Sequence, residues 1–197
     1  VADFYAGNRY LTQSEMETNA RYVCDYLHSR GWTLNAIAGL LGNFQTESGI
    51  NPAIWQSLKE GNTSGGYGLV QWTPATKFLN WCSENNLDPA HMDSALARIE
   101  YELANGLQYY KTKAYPITFK QFKVSTESPQ YLGQAFMKNY ERPKNQNTTK
   151  RGEQALTWYK FLTGTDWEGA SSGSTGGSTK KRKSMSLLLL AMATKKR

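Results

Sequence analysis

Little in this sequence could hold a metal or a covalent cross-link. The 197 residues include two cysteines and two histidines, scattered rather than grouped, so the ligand spacing of a metal site is missing. Cys24 sits in a helical pattern and Cys82 follows Trp81, which reads both as small buried hydrophobes before a disulfide. No metal and no cofactor are expected. The apolar run Leu187–Ala193 is far shorter than the roughly 20 residues that span a bilayer, so no transmembrane segment is expected. The chain opens on Val1 with neither an initiator Met nor a basic-then-apolar leader. An excised or processed piece of a longer protein is therefore expected.

Excess charge is also missing from most of the chain. The formal net charge is +7, and Lys180, Lys181, Arg182, Lys183, Lys195, Lys196 and Arg197 account for it. Residues 1–169 carry 16 basic and 16 acidic residues, a balanced surface. The high isoelectric point thus belongs to the tail. That tail could neutralise phosphates but has no interleaved aromatics, so nucleic-acid binding is not expected of the folded part.

What is abundant is aromatic residues, at 13% with twelve Tyr and six Trp. Large rings dominate core burial, and the same excess would suit a groove that stacks sugar faces.

The pattern is helical almost throughout. Thr12 and Glu15 form a capping box before Met16, Ala20, Val23 and Leu27, which run at helical spacing to a stop at Gly31. Thr33 caps a second helix with Leu34, Ile37, Leu40, Leu41 and Phe44 buried, and Asn51-Pro52 is expected to end it. Residues 58–66 are turn chemistry, a hairpin or a loop. Thr73-Pro74 and Asp88-Pro89 each read as a cap and first helical position. Gly106 closes the helix of Met92, Leu96, Ile99 and Leu103. Thr118 with Gln121 starts a short helix, Ser128-Pro129 another. Thr148 or Thr149 caps a last helix carrying Arg151, Ala155, Trp158, Tyr159 and Leu162, which Gly164 ends. Glu141-Arg142-Pro143 reads as a helix-ending corner whose charged side chains bond the backbone. The expected organisation is one domain over 1–168, a Gly/Ser/Thr linker over 169–179, and a basic, Leu-rich tail over 180–197 that is disordered or begins a downstream module.

One acid stands out by position. The buried stripe of the second helix runs straight into Glu47, which places it in or just past the last turn. Burial and the negative helix C-terminus both disfavour its charged form. A carboxyl that keeps its proton near neutral pH is what glycosidic bond cleavage requires of a general acid. Most glutamates are solvated or ion-paired instead, so position alone does not decide.

Four segments in order do more. They are Gly42-Asn43-Phe44-Gln45-Thr46-Glu47-Ser48-Gly49-Ile50-Asn51-Pro52, Glu60-Gly61-Asn62-Thr63-Ser64, Gly68-Leu69-Val70-Gln71-Trp72-Thr73-Pro74 and Tyr140-Glu141-Arg142-Pro143. Together they resemble the phage tail lysozymes, the N-terminal domain of tail-knob peptidoglycan hydrolases. More distantly they resemble soluble lytic transglycosylases and goose-type lysozymes. The resemblance spans residues 8–163.

It implies a mainly α, lysozyme-like domain with a minimal hairpin or loop in place of the β region. The implied activity is cleavage of the β-1,4 link between N-acetylmuramic acid and N-acetylglucosamine, with Glu47 as general acid. The setting implied is a phage tail acting on the host wall during genome delivery, among other tail proteins. The balanced charge and missing leader suit a virion part better than a secreted enzyme. Related tail enzymes can carry a metal-dependent endopeptidase after this domain. Ser48 is implied to orient Glu47 or hold nearby backbone. Gly68 and Gln71 would floor the cleft, Trp72 would be a sugar platform or core, and Tyr140 would match a tyrosine that bonds the acid.

The second carboxylate is open at this level. Glu60 is the candidate by position, with an exposed loop acid as its other reading. With a facing carboxylate the enzyme is a hydrolase. Without one, the substrate's acetamido group could assist, and the product would be a 1,6-anhydro sugar. A non-catalytic wall-binding or structural module is the third reading.

Overall fold

The domain is organised around α2 (Leu34–Ser48), which is buried on nearly every side. In the computed structural model residues 4–144 and 147–168 are described. The expected linker at 169–179 and tail at 180–197 lie outside them. The described residues up to Trp167 form a first compact unit.

The first unit holds seven α-helices among the described residues. They are α1 (Gln13–His28), α2, α3 (Thr76–Glu84), α4 (Met92–Asn105), α5 (Phe119–Lys123), α6 (Pro129–Phe136) and α7 (Thr148–Thr163). A 3-10 turn (Gln56–Leu58) follows α2, and a π-helical turn (Met137–Glu141) prolongs α6. The chain between α2 and α3 is a loop with two isolated antiparallel bridges, Trp55 to Tyr67 and Tyr67 to Trp72. A mainly α fold with a loop where a β region could stand is what the sequence leads one to expect.

Several helix ends follow the sequence signals. Thr12 and Glu15 close a capping box on α1, Thr118 and Gln121 do so on α5, and Ser128 caps α6 with Pro129 in its first turn. Others differ. Gly49, in a left-handed conformation, ends α2 before Asn51-Pro52 is reached, its N–H bonding the Gln45 carbonyl. Thr73 caps nothing, because its hydroxyl turns back to the Gln71 carbonyl, and α3 begins at Thr76. Asp88 makes a local turn to the Ala90 N–H, and His91 caps α4. Asn147, rather than Thr148 or Thr149, caps α7.

Helices α2, α6 and α7 pack as a tight trio, and glycine explains how. A Cβ on Gly42 would stand 2.6 Å from the Arg151 carbonyl oxygen, and one on Gly133 would stand 2.7 Å from the same atom. Backbone-to-backbone approach at this crossing is possible only without those side chains. The Asn43 amide fastens it further, donating to the Gly39 and Gly133 carbonyls at 2.9 Å each. Around the trio lies an aromatic core in which Phe136 stacks on Tyr140 and Trp72 on Phe78, each at 4.4 Å. Cys24 and Cys82 are free thiols, each pushed up to about 11 by burial.

Candidate active site

Glu47 occupies the last turn of α2, and its side chain is 19% exposed. It opens into a cleft of about 490 Å³. Thr46 and Glu47 from α2, Ile54 to Ser57 and Val70 to Thr73 from the loop, Lys77, Gln108, Tyr140 and Glu141 line it. The size is typical of a ligand-binding cleft.

The close α2–α7 crossing brings Arg151 to this acid. Its guanidinium donates to Glu47 Oε1 and, at 2.8 Å, to the Asn43 carbonyl. The arginine side chain is 7% exposed, so the pair is largely shielded from water. In the sequence Arg151 is merely one member of the α7 stripe. An arginine in an apolar register beside Gly152 is the signal that could have marked it.

The other expected residues fall in several places. Ser48 holds backbone: its hydroxyl, buried, bonds the Phe44 and Leu69 carbonyls at 3.0 Å and accepts from the Asn51 N–H. It thereby ties the end of α2 to the Gly68–Trp72 segment. Gly68 has a φ of +76°, and a Cβ there would meet the Pro52 carbonyl at 3.1 Å. Gln71 lines the cleft, its amide donating to the Ile54 and Gly68 carbonyls. Trp72 is 4% exposed and stacked on Phe78, so it is core with an edge at the cleft. The half-buried Trp55 and the exposed Tyr10 also line the cleft.

Tyr140 lines the cleft too, but its hydroxyl bonds Glu102 and not Glu47. Glu102 is a buried anchor that also accepts from the Trp72 indole at 3.0 Å and from Arg98 at 2.9 Å. Burial pushes its carboxyl up, against the pull of the Tyr140 and Arg98 hydrogen bonds.

Glu60 is exposed on the loop and is not among the residues that line the cleft. The carboxylate that shares the cleft with Glu47 is Glu141. It ends the π-helical turn, and Arg142 after it takes a left-handed conformation at φ +47°. Arg142 bonds backbone as expected, donating to the Gln108 and Asn139 carbonyls. Glu141 does not: its buried Oε1 has no hydrogen-bond partner among the described residues. Desolvation holds this carboxyl well above the usual range, and the neighbouring Glu47 charge adds to the effect.

Backbone strain collects at the same place. Ser57, Gln71 and Gln108 line the cleft with φ of +54°, +50° and +62°. Non-glycine residues in this region are costly and cluster at functional sites. Among the described residues no group of three or more His, Cys, Asp or Glu is placed to hold a metal, and no helix is long and apolar enough to cross a membrane.

The cleft at the end of the central helix thus holds two carboxylates, Glu47 and Glu141, with a shielded arginine paired to the first. The sequence profile of the phage tail lysozymes matches residues 18–162, and the chain belongs to that family. It is also 55% identical over 161 residues to "Morphogenesis protein 1" of Bacillus phage B103. The aligned part covers 82% of this chain and 44% of that protein, so the chain spans less than half of the relative's length.

Proposed function

We propose that the domain cleaves the β-1,4 bond between N-acetylmuramic acid and N-acetylglucosamine in bacterial peptidoglycan, as a component of a phage tail that opens the wall for genome delivery. Glu47 is the carboxylate on which the reaction depends. The observation that carries this reading is a glutamate at the end of the buried central helix, opening into a cleft of about 490 Å³, in a chain whose family is that of tail lysozymes. Gly68 and Gln71 shape the floor, and Trp55 and Tyr10 supply ring faces suited to sugars.

The test is clearing of purified peptidoglycan by the chain and by Glu47→Gln. The carboxamide retains the size of the acid and removes its chemistry. Clearing by the parent and loss of about 100-fold or more in a folded Glu47→Gln support the reading. Equal clearing by both would leave a wall-binding or structural module.

A further inference from the structure

The wall-cleaving reading leaves a chemical gap at Glu47. A general acid must carry a proton, yet this carboxylate is engaged by the buried Arg151 guanidinium. Meanwhile Glu141 lines the same cleft with an oxygen that is buried and, among the described residues, unpartnered. Unpartnered buried polar atoms are rare in folded proteins because each costs free energy.

Resting on the glycan-cleaving reading, we propose that Glu141 is a second catalytic carboxylate, which carries the transferable proton while Glu47, fixed by Arg151, carries the negative charge. The cleft is then a split pair. One carboxyl has a buried oxygen without a partner among the described residues and the other is ion-paired, and such unequal surroundings divide two carboxylates into acid and anion.

The charges that face Glu141 come from three helices and the next residue in the chain. They are Glu47 on α2, Glu102 on α4, Arg151 on α7 and Arg142 next in chain. Desolvation and the two glutamates favour the protonated form, and the two arginines oppose it. The local backbone fits a functional position. A π-helical turn, with the Arg142 N–H reaching the Met137 carbonyl at 2.8 Å, sets the Glu141 side chain on the cleft. Such turns are frequent at functional sites.

The step balances without any other reactant than water. The Glu141 proton moves to the bridging oxygen as the C1–O bond breaks, and the bond's electron pair stays on that oxygen. The oxygen of water bonds to C1, and the proton it gives up returns to the Glu47–Glu141 pair. One proton has left the pair and one has come back.

Three measurements test this. Glu141→Gln is compared with the parent on a peptidoglycan glycan strand and on a chitooligosaccharide bearing a nitrophenyl leaving group, which needs little protonation. The expected result is a loss of about 100-fold or more on the natural strand and less than about 10-fold on the activated substrate, as for removal of a proton donor. An unchanged rate, or the same loss on both substrates, overturns the proposal. Should Glu141→Gln not fold, the infrared spectrum of the folded parent decides. A protonated-carboxyl band at pH 7 that Glu102→Gln retains supports the assignment, and the absence of such a band overturns it. If Glu141→Gln cleaves normally while Glu47→Gln is dead, only this inference falls. If the parent itself cleaves neither substrate, the glycan-cleaving reading falls first.

Discussion

The carbonyl oxygen of Arg151 sits where the side chain of Gly42 would be, 2.6 Å from the position of an added Cβ. This contact sets the distance between α2 and α7, and with it the reach of the Arg151 guanidinium to Glu47. Packing and chemistry are coupled at one glycine.

Gly42→Ala should therefore damage both. The added methyl forces backbone to move, and overpacking of this kind costs about 1–3 kcal/mol or more. Thermal denaturation should show the lower Tm. Activity should fall further than the loss of folded protein explains, because the arginine is displaced from its acid.

Arg151→Met removes one partner of a shielded pair and leaves the Asn43 carbonyl without its donor. Breaking a fully buried pair costs about 3–5 kcal/mol, and partial exposure of Glu47 reduces that to about 2–4 kcal/mol here. Denaturant titration measures it. Wall clearing at a temperature where the variant remains folded should drop by about tenfold or more, since the Glu47 carboxylate loses its fixed position.

Glu102 is the anchor for two cleft-lining residues, Trp72 and Tyr140. Glu102→Ala strands an indole N–H, a hydroxyl and the Arg98 guanidinium, at a cost of about 3–5 kcal/mol. The variant should show a marked fall in Tm. Near-ultraviolet circular dichroism should report the loosened Trp72–Phe78 stack.

Glu141 carries a prediction about stability and pH. Its folded-state carboxyl is raised above the unfolded value. The stability it contributes is thus fully present below the unfolded carboxylate range and is lost as pH rises through the raised folded value. Glu141→Gln removes that loss. Above neutral pH the variant should be more stable than the parent, and the gap should close as the solution is acidified toward pH 4. Melting temperatures from pH 4 to pH 9 check it. A site whose removal stabilises the fold is the usual mark of a function retained at the expense of stability.

How far the sequence carries is clearest at α2. Its cap, its stripe and the placing of Glu47 in the final turn are local properties, set by Thr33 and the 3.6-residue period, and all are readable. The two Pro-started helices are less so. Thr73 and Asp88 have the right chemistry for caps, but each bonds its own turn, and the competition between a turn and a helix start is settled by tertiary context. The cleft is least readable of all. Arg151 meets Glu47 across 104 residues of chain. That meeting depends on the close packing of Gly42, which no local pattern reveals. Glu141 lies in plain view within Tyr140-Glu141-Arg142-Pro143, where it reads as a corner residue. Only the missing hydrogen-bond partner and the shared cleft distinguish it from an ordinary surface acid. Glu60 has the attractive sequence position but not the geometry.

The most direct test of the central claim is mass spectrometry of peptidoglycan digested by the chain, run beside Glu47→Gln. Soluble disaccharide-peptides with reducing muramic ends, released by the parent and not by the variant, are the expected result. Ends of the 1,6-anhydro type, lighter by one water, would replace the two-carboxylate hydrolysis by transglycosylation. Contradiction would be the release of no glycan fragment by the folded parent, or equal release by both proteins.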